Sequence, residues 1–453
     1  MSASAFDLLI RGGLVVTPAE VCRQDIGIAE GKIAALAPEL DGAARETIDA
    51  TGLHVFPGLI DSHVHFNEPG RAHWEGFSTG SRALAAGGGT LFFDMPLNSH
   101  PPTLDPASFD LKLAAAQAAS LVDFAFWGGM VPGSVPHMGQ LAERGVVGFK
   151  AFMAESGIED FPRADDRTLR AGMKQAARLD KIVAVHAESE EMIRSKTSEF
   201  LSVQAASARD YLESRPIPAE LGAISRALDM AGETGCALHI VHVSCGAGVV
   251  LIASARKHGV NVTCETCPHY LTLTEEDVLQ IGAPAKCAPP LRPKPAQDAL
   301  WEYLKSGQIN TIGSDHSPSP PELKSNANFF KIWGGISGIQ HILPLLLTEG
   351  CVRRNVPLPL IARLTSVNVA ERFELRASKG RIALEADADL ALVNLKQYLE
   401  VRSADLLYRH ALTPYLGRAL TGKVVRTILR GQTIYQDGRI VSKPMGILVR
   451  SKH

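Results

Sequence analysis

The chain has 453 residues and a formal net charge of -2, with 46 Lys and Arg against 48 Asp and Glu. This balance excludes nucleic acid or an anionic membrane as the main partner. The length allows one large domain of about 250–300 residues beside a smaller one. No apolar stretch approaches about 20 residues, and the amino terminus lacks a basic segment followed by an apolar run, so we expect a cytoplasmic protein. Seven cysteines, an odd and sparse set, indicate reduced core residues rather than a disulfide framework.

The two ends of the chain share a β-hairpin pattern. Residues 6–16 and 25–36 show apolar runs joined by glycine turns, and residues 424–441 repeat this pattern. Neither end is long enough to build a good core by itself. We therefore expect both ends to pack together as one small β-sandwich domain, made of residues 1–56 and 378–453.

The middle of the chain, residues 57–377, alternates predicted strands with predicted helices. The predicted strands are Val55–Phe66, Gly89–Met95, Val122–Gly129, Val146–Phe152, Lys181–His186, Ala237–Val243, Val260–Cys267 and Asn310–Asp315. The predicted helices between them include Asp105–Ala118, Asp166–Leu179, Ala219–Thr234 and Ala247–Lys257. Eight strands with crossover segments predict an α/β fold, a (β/α)8 barrel of the TIM type with its chemistry at the C-terminal strand ends. A doubly wound sheet is the structural alternative, but no Gly-x-Gly-x-x-Gly follows a strand.

Polar side chains follow the apolar runs of several predicted strands. His63 and His65 end the first strand and point the same way, because side chains alternate along a strand. The other members of this set are Lys150, His186, His242 and Asp315. A single buried histidine is as often a satisfied core residue as a ligand. Six such residues at one barrel face instead predict a metal site, and four imidazoles with a carboxylate suit zinc first, then cobalt, manganese, iron or nickel.

Lys150 is the unusual member of this set, because an ammonium group between metals would be strongly repelled. A desolvated lysine loses its proton readily and becomes a nucleophilic amine. Reaction with carbon dioxide would convert it into a carbamate, whose two oxygens can bridge two metals about 3.5–4 Å apart. The alternative is a lysine whose head group reaches solvent at the strand end.

The order of these residues along the chain resembles the amidohydrolase superfamily and, within it, the cyclic amidohydrolases. The resemblance covers nearly the whole chain, including the flanking β-domain. It implies that His63, His65 and Asp315 hold the first of two divalent metals and that His186 and His242 hold the second. It also implies that Lys150, carboxylated on its terminal nitrogen, bridges both.

Six further stretches resemble the allantoinase group of that superfamily. They are residues 68–80, Asp94-Met-Pro-Leu-Asn98, Gly148-Phe-Lys-Ala-Phe152, Cys264-Glu-Thr-Cys-Pro-His-Tyr270, Asp315-His-Ser-Pro318 and Trp333-Gly-Gly-Ile-Ser-Gly338. The resemblance implies hydrolytic opening of the hydantoin ring of allantoin to allantoate, a step of purine degradation. Asp315 would be the catalytic proton carrier, with Asn98, Ala288 and Ser317 at the substrate. Relatives of this type are often homotetramers, which we expect here by analogy.

Departures from sister families bear on the substrate. Dihydroorotases typically carry an arginine where this chain has Asn67, and its loss favours a neutral ring over a carboxylate-bearing one, although Arg71 or Arg292 could also supply a cation. The tyrosine of hydantoinases and dihydropyrimidinases is missing from residues 151–158, and Ala288 replaces a serine. The alternatives are therefore a hydantoinase, dihydropyrimidinase or dihydroorotase acting on another cyclic ureide, or a non-catalytic scaffold relative.

The remaining motifs are less specific. Cys264-x-x-Cys267 has no second pair, so we expect it to pack in the core. His269 and His316 are candidates to support the metal ligands, or to have a structural role. Residues 317–338, which contain Ser317 and Trp333, form a long segment that is either a mobile substrate loop or a static surface loop.

Overall fold

The structure is a computed structural model that describes residues 6–375 and 378–451. The amino-terminal residues 1–5, the end of the predicted barrel domain at residues 376–377 and the last two residues lie outside this range. Within it, no helix is long and apolar enough to cross a membrane.

Eighteen strands are present in the described ranges. In chain order they are β1 (Phe6–Val16), β2 (Val21–Ala29), β3 (Lys32–Ala37), β4 (Ala44–Asp49), β5 (His54–Pro57), β6 (Leu59–Val64), β7 (Gly89–Asp94), β8 (Asp123–Phe126), β9 (Gly128–Gly129), β10 (Gly148–Phe152), β11 (Ile182–His186), β12 (Leu238–Ile240), β13 (Val262–Thr266), β14 (Thr311–Ile312), β15 (Leu390–Glu400), β16 (Ala419–Leu429), β17 (Gln432–Gln436) and β18 (Arg439–Ile440).

Fourteen α-helices occur in the same ranges. They are α1 (Phe77–Ala86), α2 (Pro106–Ala119), α3 (Met138–Arg144), α4 (Asp166–Arg178), α5 (Glu190–Ser202), α6 (Ala208–Ser214), α7 (Ile217–Thr234), α8 (Gly246–Lys257), α9 (Pro268–Thr272), α10 (Glu275–Ile281), α11 (Lys294–Lys305), α12 (Ile342–Leu346), α13 (Leu358–Ala362) and α14 (Asn368–Arg372). Two π-helical turns, Leu347–Val352 and Arg363–Val367, lie beside α12 and α13.

The strands β6 to β14 form the predicted barrel. One parallel run is β6-β7-β8 and the other is β9-β10-β11-β12-β13-β14. Only Trp127 separates β8 from β9, so these two form one interrupted strand and the barrel has eight. A parallel bridge from Val64 to His316 joins the chain after β14 to β6. The prediction of a (β/α)8 barrel is thus confirmed.

Most predicted strands differ in extent from those in the structure, and for two of them the structure shows the reason. The predicted Val55–Phe66 strand is two strands, because Gly58 separates β5 in the terminal sheet from β6 in the barrel. A Cβ atom on Gly58 would lie 2.2 Å from Thr90 Oγ1, so the chain can cross between the domains here only as glycine. The predicted strand that ends at Asp315 is paired only over Thr311–Ile312, since the backbone leaves the sheet and reaches φ 45° at Asp315.

Helices α2 and α4 begin where a side chain caps their free N–H groups. Asp105 accepts a hydrogen bond from Ser108 N at 2.8 Å, and Pro106 occupies the first turn of α2. Asp165 accepts from Thr168 N at 2.8 Å at the start of α4. These local signals explain why the sequence predicted both helices to within one residue at each end.

The chain ends build one nine-stranded sheet, in the order β18-β17-β16-β15-β5-β1-β2-β3 with β4 beside β1. Apolar side chains of β1, β2, β5, β15 and β16 share a core, as expected for the sandwich. The final described segment leaves this sheet and pairs with β8 of the barrel, where Val449 N donates to Phe124 O at 2.8 Å. The residue limits that we predicted for the two domains stay a prediction.

Candidate metal centre and substrate cavity

Three of the predicted ligands meet at the carboxyl end of β6. His63 lies in β6, His65 follows it, and the turn after β14 brings Asp315 against both. Asp315 Oδ1 lies 3.2 Å from His63 Nε2 and 3.4 Å from His65 Nε2. The possible ligand atoms of these three buried side chains all lie within 4.8 Å of one another.

His186 and His242 form a second group beside the first. His186 ends β11, whereas His242 lies two residues beyond β12 with φ 41°. Their rings meet edge-on at an interplanar angle of 73°, with His186 Nδ1 3.0 Å from His242 Nε2. The ring centroids of His63 and His242 are 5.4 Å apart, so the two groups are neighbours.

Lys150 lies in the middle of β10 rather than at its end, and its side chain is fully buried. Its Nζ atom has no hydrogen-bond partner within the described residues and lies 4.9 Å from the centroid of the Phe152 ring. Burial lowers the pKa of Lys150 to about 8, although the nearby carboxylates of Asp315 and Glu265 favour its charged form. Near neutral pH the uncharged amine is therefore a minority species, but a far larger one than in an exposed lysine.

The pKa values of the candidate ligands favour their metal-binding forms. Burial lowers the pKa of His65 to about 4, so its imidazole is neutral. Burial opposes ionisation of Asp315, but His63 and His65 outweigh it and lower the pKa of Asp315 to about 2. Neutral imidazoles and an ionised carboxylate are the states in which these side chains coordinate cations.

Glu265 is a functional residue that the sequence analysis missed. It lies in β13, where its carboxylate accepts from Ser62 Oγ at 2.6 Å and lies 2.8 Å from His63 Nδ1. A proton on Nδ1 leaves Nε2 of His63 free to act as a ligand. A charged residue inside an otherwise uncharged predicted strand was the signal that could have identified it.

Glu188 was missed in the same way. It follows His186 by two residues, and its Oε2 lies 2.8 Å from His186 Nε2. Arg215 forms an ion pair with the same oxygen. Burial opposes the charge of Glu188, but Arg215 and His186 lower its pKa to about 2. The ionised carboxylate therefore holds the His186 ring with Nδ1 turned towards His242.

A cavity of about 530 Å³ opens onto the four candidate histidine ligands and Asp315. The predicted substrate residues Asn98, Ala288 and Ser317 all line it. Its lining cations are Arg194, Arg215, Lys286 and Lys331. The volume is typical of a site for a small organic ligand.

The two arginines considered as carboxylate clamps are bound elsewhere, and neither lines this cavity. Arg71 donates to Asn98 O at 3.0 Å. Arg292 donates to Ser244 Oγ at 2.8 Å and pairs with Glu220 at 3.0 Å. Asn67 is buried and donates to Pro318 O at 3.3 Å.

The other motif residues lie in or near this region. His269 is buried close to Asp315, and neither of its ring nitrogens has a partner in the described part of the chain. His316 accepts from Gly338 N at 3.2 Å through Nδ1. Cys264 and Cys267 are buried, unbridged core residues, which agrees with packing rather than redox chemistry.

The donor set fits divalent metal ions. Four imidazoles and one carboxylate provide nitrogen and oxygen ligands in a buried site, and carboxylates behind His63 and His186 orient two of the rings. The unpartnered Lys150 amine lies close enough to both groups to affect the pKa values of His65, His186 and His242.

Comparisons with known proteins agree with this geometry. Residues 54–434 match the model of the amidohydrolase family. The chain is 56% identical to an allantoinase of Rubrobacter xylanophilus over 99% of this chain and 98% of the relative. It is 50% identical to an allantoinase of Deinococcus radiodurans, with 99% of each chain covered.

Solved structures show the same fold. The L-hydantoinase (dihydropyrimidinase) of Arthrobacter aurescens superposes with a TM-score of 0.96 at 33% identity, covering 98% of this chain and all of that one. The dihydropyrimidinase of Brevibacillus agri gives a TM-score of 0.91 at 31% identity, with 98% of both chains covered. The chain therefore belongs to the amidohydrolase family.

Proposed function

We propose that this chain is a cyclic amidohydrolase that opens the hydantoin ring of allantoin at an internal amide bond, giving allantoate. The observation that carries the proposal is the end-to-end identity of 56% to an allantoinase in a chain whose histidines and Asp315 converge on one cavity. The two solved structures are only 33% and 31% identical to this chain. Their substrates are therefore a weaker guide to the substrate of this chain than those of the allantoinases.

The family implies a binuclear metal centre. We assign His63, His65 and Asp315 to the first metal and His186 and His242 to the second, with carboxylated Lys150 between them. The burial of the Lys150 amine, its lack of a partner and its lowered pKa support carboxylation, because carbon dioxide reacts with the neutral amine. Zinc is our first choice of metal for these ligands.

The proposed chemistry assigns separate tasks to the metals and to the protein. When bound, two divalent metals lower the pKa of water from about 15.7 to about 7 and polarise a carbonyl group. Asp315, ionised at neutral pH, takes the proton from the attacking water and returns it to the leaving ring nitrogen. Glu265 and Glu188 keep the His63 and His186 rings in place during this transfer.

Binding of a neutral ring agrees with the cavity. Asn98 and Ser317 provide polar atoms at its edge, while Ala288 contributes no hydroxyl. Arg71 and Arg292 have partners outside the cavity, and Asn67 occupies the position where dihydroorotases carry an arginine. Of the cations that line the cavity, Arg215 pairs with Glu188, Lys286 binds backbone carbonyl groups, and Arg194 and Lys331 are exposed to water. A ureido-hydantoin needs hydrogen-bond donors and acceptors but no counter-ion.

The substrate is tested by assaying ring opening of allantoin, hydantoin, dihydrouracil and dihydroorotate with the same preparation. We expect kcat/KM for allantoin to exceed the other values by about a hundredfold or more. A higher value for hydantoin or dihydrouracil would instead assign the chain to the hydantoinase group.

The role of Asp315 is tested with Asp315→Asn, which cannot accept the proton. We expect kcat to fall by about a thousandfold or more, with circular dichroism and melting temperature close to those of the parent. A variant that keeps most of its kcat would remove Asp315 from this role.

The metal assignment is tested by elemental analysis of the purified protein. We expect two equivalents of a divalent transition metal and the carboxylated form of Lys150 in an experimental density map. A protein with neither would support the non-catalytic scaffold alternative. The proposed cytoplasmic location and tetrameric state are checked by cell fractionation and by light scattering.

A further inference from the structure

One wall of the cavity has little regular secondary structure. Residues 329–335 begin with a single 3-10 turn, Phe329–Lys331, and residues 330–335 all line the cavity. The candidate metal ligands, in contrast, lie on or directly after strands of the barrel. We call residues 329–335 the cavity wall.

The backbone carbonyl groups of the cavity wall are bound by two buried lysine side chains. Lys286 Nζ donates to Phe329 O at 2.7 Å, to Phe330 O at 3.3 Å and also to Ile332 O. Lys324 Nζ donates to Trp333 O at 2.9 Å and to Gly335 O at 2.7 Å. These contacts account for five of the seven carbonyl groups in the wall.

The two ammonium groups have no carboxylate partner among the ion pairs of the described residues. Lys286 lies instead 4.4 Å from the centroid of the Tyr211 ring and 5.4 Å from that of Phe329. Lys324 reaches across to Ala283 O at 3.3 Å. Backbone carbonyls accept from both side chains and aromatic rings flank Lys286, while burial lowers the pKa of each lysine to about 7. Each lysine is therefore held by the wall and not by an opposite charge, so its contacts depend on the wall staying in place.

Further bonds fix the wall to its surroundings. Gly335 N donates to Lys286 O at 2.8 Å, and Trp333 N donates to Leu323 O at 2.8 Å. A Cβ atom at Gly335 would lie 2.2 Å from Ser317 O, so only glycine allows this approach. The wall is thus held against Ser317, one of the proposed substrate contacts.

We propose that Lys286 and Lys324 are positioning residues for substrate binding: they act as two clamps that hold the cavity wall against the barrel and thereby set the shape of the ring-binding site. The proposal rests on the proposed ring-opening activity and concerns the binding of substrate, not the chemical step. Neither lysine contacts the candidate metal ligands through a hydrogen bond or ion pair given by the structure.

Loss of either lysine leaves two wall carbonyl groups without a partner, because Phe329 O still accepts from Ile332 N at 3.3 Å. Buried polar groups without partners are costly. The wall relieves this cost by opening to water, whereas the barrel strands keep their own hydrogen bonds. Substrate affinity therefore falls while the metal ligands keep their positions. A fall in substrate affinity without movement of the metal ligands distinguishes the two lysines from residues that only stabilise the fold.

The test uses Lys286→Met and Lys324→Met in the full-length, metal-loaded protein. We expect KM for allantoin to rise about tenfold, kcat to change less than about threefold, and metal content to match the parent. Amide hydrogen exchange at residues 329–335 should become faster in both variants. The matched control is Lys174→Met, which removes an exposed lysine from α4 and should leave all four quantities unchanged.

Three outcomes overturn the proposal: unchanged KM in both variants, loss of metal in proportion to loss of activity, or exchange at residues 329–335 equal to the parent. If one variant fails to fold, the other still decides between these outcomes. If the parent does not open allantoin, the proposed function fails, but the exchange measurement still tests whether the lysines hold the wall.

Discussion

Single buried side chains that contact the candidate ligands control the orientation and tautomer of the ligand rings. Glu265 bonds to both Ser62 and His63, and burial of all three leaves them no water to replace a lost partner. Burial opposes the charge of Glu265, yet His63 and His239 lower its pKa below the usual range. An ionised Glu265 therefore favours the tautomer of His63 that binds metal through Nε2.

We predict that Glu265→Gln weakens metal binding by about 10–100-fold, because an amide holds the His63 ring less firmly than a carboxylate. Competition with a chelator, followed by metal analysis, measures this effect. Glu302→Gln provides the matched control, because Glu302 is an exposed residue on α11. Equal metal retention in both variants would show that Glu265 does not support the site.

At the scale of elements, one buried ion pair joins a helix to the strand end beside the site. Lys112 of α2 is fully buried, and its Nζ lies 2.6 Å from Asp94 Oδ2 at the end of β7. The other oxygen of Asp94 accepts from Phe66 N at 2.8 Å, immediately after His65. Burial lowers the pKa of Lys112 and raises that of Asp94, so each charge persists because of the other.

We predict that Lys112→Met lowers the free energy of unfolding by about 3–5 kcal/mol, because it leaves the Asp94 carboxylate buried and unpaired. The double variant Asp94→Asn with Lys112→Met should recover most of this loss, since no buried charge is left. Urea denaturation measures both, with Lys294→Met as an exposed control. A double variant less stable than Lys112→Met would contradict this explanation.

The extents of the elements follow from local signals only in part. Capping residues mark the starts of α2 and α4 in the structure, and apolar runs located the barrel strands in the sequence. The same runs could not show that Gly58 divides one apolar stretch between two domains, because that division depends on the approach of Thr90 from the next strand.

At the scale of the whole molecule, a buried charge cluster connects the barrel to the terminal sheet. Lys379 Nζ lies 2.7 Å from Asp123 Oδ2 of β8 and 2.7 Å from Asp389 Oδ2, just before β15. Arg430 pairs with the other oxygen of Asp123. Burial opposes the charge on Lys379, but Asp389 and Asp123 outweigh it and raise its pKa above the usual range.

We predict that Lys379→Met lowers the melting temperature at neutral pH, because three carboxylates, those of Asp123, Asp387 and Asp389, lose a buried cation. The pKa of Lys379 is raised by folding, so its contribution is complete below the unfolded value of about 10.4 and is lost as pH rises through the folded value. The difference from the parent should therefore be constant from pH 7 to about 9.5 and shrink only at higher pH.

Calorimetry over this pH range measures the effect. Lys32→Met is the matched control, since Lys32 pairs with the same cluster through Asp387 but is exposed, and exposed pairs contribute about 1 kcal/mol or less. A difference that already shrinks between pH 7 and 9 would show that Lys379 is not held charged by its neighbours.

The sequence by itself determined the barrel, the terminal β-domain and the six candidate ligands. Period-two alternation and apolar runs are local properties, so they identify strands and the polar residues that end them without knowledge of distant contacts. The residue types of that set, imidazoles with one carboxylate and one lysine, also indicated a divalent metal site, and the resemblance to the amidohydrolases implied hydrolysis.

Only the tertiary structure decided which side chains support those ligands and shape the cavity. Glu265 lies 202 residues from His63, and Lys286 lies more than forty residues from the carbonyl groups that it binds. No local pattern links such pairs, because the partners meet only when the barrel closes and its loops fold over the strand ends. Burial then determines the pKa values, since desolvation depends on the atoms that surround each group and not on its neighbours along the chain.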